Sequence, residues 1–419
     1  MASALVRIPV DQKRFALVFP VLVLAVVSVV PWRRGSIYSG GADPVVVAKA
    51  VVGLIAFGSA VALRSTARVA TSIGVRTLSL LAGIVLVSAV GAFAAGDGVA
   101  ASVLTIRIAL VAVTVVIVTK SAPPLVVLSA LLAALGAVAV VSALTGAMQG
   151  FTDGRLSGGI PEMAPNVLAG LAAPPAIGLA ADVVRRGVRL PNTAALVAMI
   201  SIVVYTESRT ALIVVMVGVA LALLCGRKVA PSTAIVAIVA APILYAVVTF
   251  TDTATQLLAR GQNVQELSTL SSRTVAWEAV LARPFDSWGK WIGVGLAAKT
   301  VAVQQRWRNE QVLDSSWVSV IAQAGIIGAT LLVIWIVITS IESLRRRELR
   351  AMAAPLLAML LIRGFTESGL IDSSATFLLF LTVSLILEPG TRFPSRSKPQ
   401  PRYQLAAPLP IESRQNSPA

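Results

Sequence analysis

Histidine is absent from this chain and cysteine occurs once, as Cys225. Without histidine there is no Ser/His/Asp triad, no histidine-ligated zinc and no histidine general base. With a single cysteine no disulfide closes within the chain, and a cysteine metal centre lacks ligands. Any proton acceptor is therefore Asp, Glu, Lys, Tyr or a group on the substrate. Charge is scarce too: 13% of the 419 residues are charged against 57% hydrophobic, and mean hydropathy is +0.86. A water-soluble domain rarely tolerates that balance, so the chain reads as a polytopic membrane protein.

What charge remains is lopsided, with 35 basic and 19 acidic residues and a net +16. A nucleic-acid binder would gather these cations on one soluble face. Here they fall in short clusters between apolar runs, so membrane topology accounts for them and no nucleic-acid partner is expected.

Arg7, Lys13 and Arg14 precede an apolar run from Phe15 to Pro31. Pro31-Trp32-Arg33-Arg34 follows where a secretory signal would place a small-residue cleavage site, which predicts an uncleaved first span. Further runs of spanning length, about 17 to 25 residues, lie near 45–63, 74–95, 99–119, 124–148, 166–184, 191–206, 209–226, 231–250, 315–340, 350–366 and 371–388. The fold predicted is all-α, a polytopic membrane protein of about 12 transmembrane helices with both termini on one side.

Basic short loops are retained in the cytoplasm. Arg64, Arg68, Arg76, Lys120, Arg185, Arg186, Arg189, Arg227, Lys228 and Arg345 to Arg347 then lie inside with both termini. The short outer loops hold only Arg33, Arg34, Lys49, Arg155, Arg209 and Arg363. This places an integral membrane domain at 1–388 in the cytoplasmic membrane. The tail, 389–419, is rich in Pro, Ser, Gln and Arg and too poor in apolar surface to fold alone, so a disordered cytoplasmic tail is expected.

One gap between apolar runs stands apart, the loop 251–314 between the ninth and tenth spans. It holds Trp277, Trp288, Trp291 and Trp307 of the seven tryptophans, with Arg273, Arg283 and Asp314 among its charges. Long loops translocate largely regardless of charge, so it is predicted to be extracytoplasmic.

Several charges exceed what a scaffold needs. Arg107 sits within the run SVLTIRIALVAVTVVIV, either snorkelling to the interface or contacting an anion. Arg155 lies in a glycine- and proline-rich outer loop, where free backbone N–H groups suit phosphate, and Asn166 at its end suits a helix cap. Tyr205-Thr-Glu-Ser-Arg-Thr210 is a turn too short to leave the interface. There Ser208 suits a cap, Glu207 and Arg209 either pair or stand apart, and an arginine at a helix N-terminus favours an anion. Residues 271–283 read as a short amphipathic helix with Arg273, Trp277 and Val280 on one face, suited to lying on the membrane surface. Gly293-Val-Gly295 reads as a tight turn, and Arg363 with Glu367 as a surface pair at a helix end.

These segments, in order, resemble the O-antigen ligase and O-antigen polymerase superfamily. The resemblance rests on Arg155 to Asn166 (RLSGGIPEMAPN), Glu207 to Leu212 (ESRTAL), Arg273 to Trp277 (RTVAW), Gly293 to Gly295 (GVG) and Asp314 to Gly328 (DSSWVSVIAQAGIIG). It covers about residues 100–370. The chain departs from the family pattern at Asp314, where ligases carry a catalytic histidine, and at Ser315, Trp317 and Gln323, where the family has Asn, Tyr and Glu. A histidine-dependent mechanism does not carry over.

The resemblance implies a membrane-embedded, metal-independent glycosyltransferase without a cofactor. Its partners would be a polyprenyl-diphosphate-linked glycan donor and a glycan or lipid acceptor; nothing in the sequence sets an oligomeric state. Arg209 and Arg273 are the expected catalytic guanidiniums and Asp314 the expected base or orienting carboxylate, with Glu310 or Glu367 as substitutes. Arg155, Asn166, Glu207, Trp277, Arg363 and Glu367 complete the expected substrate-binding set. Two other readings are a transporter or flippase of lipid-linked precursors and a non-catalytic subunit of an envelope complex.

Overall fold

Apolar runs become helices almost boundary for boundary. The structure is a computed structural model that describes residues 12–33, 43–67, 71–150, 154–226, 233, 273–305 and 308–391. Its helices are α1 (Gln12–Val29), α2 (Pro44–Ser65), α3 (Arg76–Ala95), α4 (Gly98–Ser121), α5 (Pro124–Met148), α6 (Pro165–Arg186), α7 (Leu190–Tyr205) and α8 (Arg209–Cys225). After these come α9 (Arg273–Leu281), α10 (Trp288–Ile292), strands β1 (Thr300–Gln305) and β2 (Arg308–Val312), then α11 (Ser316–Arg345), α12 (Arg350–Arg363) and α13 (Ala375–Leu387).

Local chemistry sets the starts. Proline opens α2, α5 and α6, where its missing N–H would have had no intrahelical partner. Asp43 caps α2 by accepting from the Val45 N–H at 2.8 Å. Ser374 does the same for α13, accepting from the Phe377 N–H at 3.1 Å.

The core is built around α13. Every residue from Phe377 to Leu387 is buried, as expected of a helix that is hydrophobic all round and enclosed by others. It packs against α4, α5, α11 and α12, with the Phe380 ring 4.7 Å from that of Trp335. On one flank α8 lies between α6 and α12; on the other, α1 meets α2 and α5, and α11 meets α3.

One helix is broken on purpose. Gly325, inside α11, has φ 65° and ψ −167°, a conformation only glycine adopts without strain. The break frees carbonyls that must find other donors in an apolar setting. The Gly293-Val-Gly295 turn supplies them: Val294 N donates to Ala322 O and Gly295 N to Gln323 O, each at 3.0 Å. Ser88 Oγ adds a third bond to Gln323 O at 2.9 Å. That turn is therefore a clamp on the discontinuous helix.

Among the described residues, seven helices are long and apolar enough to cross a membrane, and α7, α8 and α13 are shorter apolar helices. The expected count of 12 is thus not reproduced as such: the run 231–250 lies outside the described residues, and α12 is a 14-residue helix containing Pro355. The tail beyond Thr391 also lies outside them. The loop 251–314 is described only from Arg273. It is not purely helical, because Thr300–Gln305 and Arg308–Val312 pair as an antiparallel hairpin. Alternating Val301 and Val303 give β1 the period-2 pattern that an all-α reading passed over.

Candidate active site at one end of the bundle

The end of α5, the starts of α6, α8 and α11, and the ends of α7 and α12 meet at one face. Between α5 and α6 the loop folds back on α5: Gly158 N donates to Met163 O and Gly159 N to Ser142 O, both at 2.9 Å. Those N–H groups are spent, so the glycines do not form a phosphate cradle. They let the backbone press on α5, since a Cβ on Gly159 would meet the Thr145 carbonyl carbon at 2.5 Å.

The fold-back fixes Arg155. Its Nε donates to Thr206 O and its Nη2 to Asn166 Oδ1, both at 3.0 Å. Asn166 is not the cap of α6; it lies inside the helix, and Ala164 holds the cap position without a side-chain bond. Its two oxygens serve two arginines instead, because Asn166 O accepts from Arg363 Nη2 at 3.2 Å.

Arg363, expected at the surface, is half-buried against α6. Its guanidinium occupies the space that a side chain at Gly170 would need. Glu367, one turn further on, supplies an opposing charge. The turn that follows α12 is knitted to its neighbours: Ser316 N donates to Gly364 O at 2.8 Å, Ser316 Oγ to Glu367 O at 2.8 Å and Ser315 Oγ to Gly364 O at 3.2 Å. Asp314 immediately precedes these serines. Trp317 packs on Phe365 with ring centroids 5.6 Å apart.

The same turn reaches α8 through Thr366, which hydrogen-bonds Thr210 at 3.2 Å, Oγ1 to Oγ1. Next to Thr210 stands Arg209, whose Nε and Nη2 are buried without a hydrogen-bond partner among the described residues. Orphaned donors of this kind cost about 1–3 kcal/mol each, more when charged. Arg209 also opens a helix, where the backbone dipole already favours an anion. Ser208 occupies the cap position but makes no capping bond. Glu207 is held at φ 50°, the left-handed region that non-glycine side chains avoid, so the turn presenting Arg209 is strained.

Residues of the long loop join through packing. Ala276 and Val280 of α9 bury against Leu313, Val318 and Ala322, with Trp277 partly buried alongside. The helix is thus docked on the first turns of α11 and does not lie on the membrane surface by that face. Arg273 opens this helix, one turn before Trp277. Arg283 donates to Ala322 O at 3.4 Å, and burial lowers its pKa from the usual guanidinium value.

Hydrogen bonds therefore link Arg155, Asn166 and Arg363, and the turn carrying Glu367 ties these to the residues flanking Arg209 and Asp314. Glu207 belongs to the same turn as Thr206 and Arg209, while Arg273 and Trp277 connect through α9. Gly170, Thr206, Thr366 and Ser316 hold the cluster together and give no periodic signal in the sequence, being a glycine inside a helix and hydroxyls at helix ends and turns. Arg155, Arg209, Arg273, Arg283 and Arg363 outnumber the carboxylates Glu207, Asp314 and Glu367, so the site is net basic but holds both signs of charge. What stands open is the pair of donors on Arg209.

Residues 194–333 match the family model for O-antigen ligase. This supports an O-antigen ligase/polymerase-type family for the chain. The O-antigen ligase match spans Glu207, Arg209, Arg273, Trp277 and Asp314, while Arg155, Asn166, Arg363 and Glu367 reach the cluster from outside it. It supports a multi-pass membrane enzyme of the glycosyltransferase-like kind, working in envelope polysaccharide assembly. No curated protein matches the chain.

Proposed function

We propose that the protein transfers or polymerises a glycan carried on a polyprenyl diphosphate, passing it to an acceptor hydroxyl at the outer face of the cytoplasmic membrane. The observation that carries this reading is the pair of buried, unpartnered donors on Arg209, at a helix N-terminus and tied through Thr210 and Thr366 to the turn bearing Arg363 and Glu367. A diphosphate leaving group gains charge as the bond to the anomeric carbon breaks, and preorganised guanidiniums stabilise it without reorganising.

In this reaction the acceptor oxygen attacks the anomeric carbon while the bond from that carbon to the diphosphate oxygen breaks. The hydroxyl proton passes to Asp314, which orients the acceptor or serves as its base, with Glu367 nearby. Arg209 and Arg273 meet the diphosphate. Arg155, Asn166 and Arg363 hold the donor side in place, and Glu207 and Trp277 face the glycan. The reaction as proposed is metal-independent, the guanidiniums supplying the positive charge. Both termini are then cytoplasmic, and 251–314 is the outer wall of the site.

The test is chemical. Purified protein in nanodiscs, given a polyprenyl-diphosphate-linked glycan and acceptor, should release free polyprenyl diphosphate. Movement of the lipid-linked glycan across the bilayer with its diphosphate bond intact would favour a flippase instead.

A further inference from the structure

The segment that joins α9 to α10 carries large rings for which the transfer reaction has no use. Phe285 is 70% exposed, Trp288 and Trp291 are 44% exposed each, and Leu281 is exposed beside them. The rings are fixed from within. Trp291 Nε1 donates to Phe285 O at 2.8 Å, and the two rings stand edge to face with centroids 6.4 Å apart. Lys290, itself buried, donates to Leu281 O and holds its Nζ 4.6 Å from the Phe285 ring centroid. Backbone donors are spent locally as well: Ser287 N on Pro284 O, Lys290 N on Ser287 O and Gly293 N on Gly289 O. With these donors occupied, the segment presents hydrocarbon and ring surface. That suits lipid, where backbone groups must be satisfied internally, better than a sugar, which needs open hydrogen-bonding groups.

Depth points the same way. Helix α10 packs on α3 and α11, two of the helices long and apolar enough to span. A Cβ on Gly91 would meet Gly293 O at 2.5 Å, and Gly91 stands four residues before the end of α3 at Ala95, roughly 6 Å along the axis. A Cβ on Gly325 would meet the Trp291 carbonyl carbon at 2.2 Å, and Gly325 lies nine residues inside α11, roughly 13 Å from its start. The segment is therefore tucked below the ends of two spans, at the level where tryptophan collects at a membrane–water interface. Val90 and Phe93 of α3 and Ile327 of α11 are exposed too, so the aromatic face continues the apolar outside of the bundle.

We propose that Leu281, Phe285, Trp288 and Trp291 form a re-entrant aromatic anchor, seated among the lipids at the headgroup–chain boundary of the leaflet on the candidate site's side. The long loop then meets the bilayer through this segment. The face of Arg273, Trp277 and Val280, expected to lie on the membrane, packs on α11 instead. The anchor is separate from the transfer reaction and does not rest on it.

Tryptophan fluorescence of the full chain in phosphatidylcholine proteoliposomes tests the proposal. Subtracting the emission of Trp288→Phe, and separately of Trp291→Phe, from that of the wild type isolates each ring, and both variants keep an aromatic side chain at an exposed position. The isolated emission should be largely lost when the lipid is brominated near the headgroup end of its chains, less affected by bromine near the chain ends, and untouched by aqueous iodide. Quenching by iodide with none from brominated lipid would place the face in water and overturn the proposal. Lipid quenching that disappears as the protein-to-lipid ratio is raised would give the face to a second copy and overturn it as well. Trp288→Glu supplies an independent reading, because Trp288 takes part in none of the bonds above. A charge at the lipid boundary should lower the apparent Tm in proteoliposomes by several degrees relative to Trp288→Phe, and an equal Tm for the two variants would contradict the anchor.

Discussion

The Arg363 guanidinium rests where a side chain on Gly170 would stand. Two helices, α6 and α12, approach closely enough at this point for Arg363 Nη2 to reach Asn166 O at 3.2 Å. The absence of a methyl group at position 170 thus sets where one of the site's cations lies.

Gly170→Ala should displace that guanidinium while leaving both helices formed. Glycan transfer should fall by about 10²-fold, the scale of losing one preorganised donor, and Arg363→Ala should fall by a similar factor. Rates of the two variants measured side by side check this; a fully active Gly170→Ala would remove Arg363 from the site.

Asn166→Ala deletes the acceptor for Arg155 Nη2 but keeps the backbone carbonyl that serves Arg363. A hydrogen bond to a charged group contributes about 1.5–3 kcal/mol, so the apparent Tm should drop by a few degrees. Asn166→Asp keeps an acceptor for Arg155 and should recover most of that stability. Thermal unfolding of the two variants separates the outcomes.

Asp314→Asn keeps the shape of the turn before α11 and removes the charge. If this carboxylate handles the acceptor proton, turnover should fall about 10²–10⁴-fold, the usual contribution of a positioned acid or base, with donor binding unchanged. Pre-steady-state rates alongside donor affinity provide the measurement.

Gly325→Ala puts a methyl group into the Trp291 backbone, at a φ of 65° that alanine resists. Overpacking and strain together should cost roughly 3 kcal/mol or more. The expected result is poor recovery of folded protein, read by size exclusion in detergent. Ala329, in the helix beyond the break, offers a control position where Ala329→Ser should fold normally.

Much of the architecture was legible because burial in a bilayer imposes long apolar runs, and those runs became α1 to α8 and α11 to α13. The pairing of the cluster was not. Asn166 looked like a cap because its type and position suit one, yet two arginines arriving from distant parts of the chain claim its oxygens. Arg363 and Glu367 looked like a surface pair because four-residue spacing says nothing about what packs over them. The hairpin at 300–312 was missed because a strand of half-apolar alternation is a weak signal beside twenty-residue spans. Arg209 was singled out correctly as a helix-opening cation, but its lack of partners is a property of the folded state alone.

Arg209→Ala tests the central claim most directly. Wild-type protein and variant are compared for release of free polyprenyl diphosphate, with apparent Tm recorded on the same samples. Because its two buried donors have no partner to lose, removing them should leave Tm unchanged or slightly raised while release slows by about 10²–10³-fold. Release at the wild-type rate, from a variant that is folded, would contradict the account.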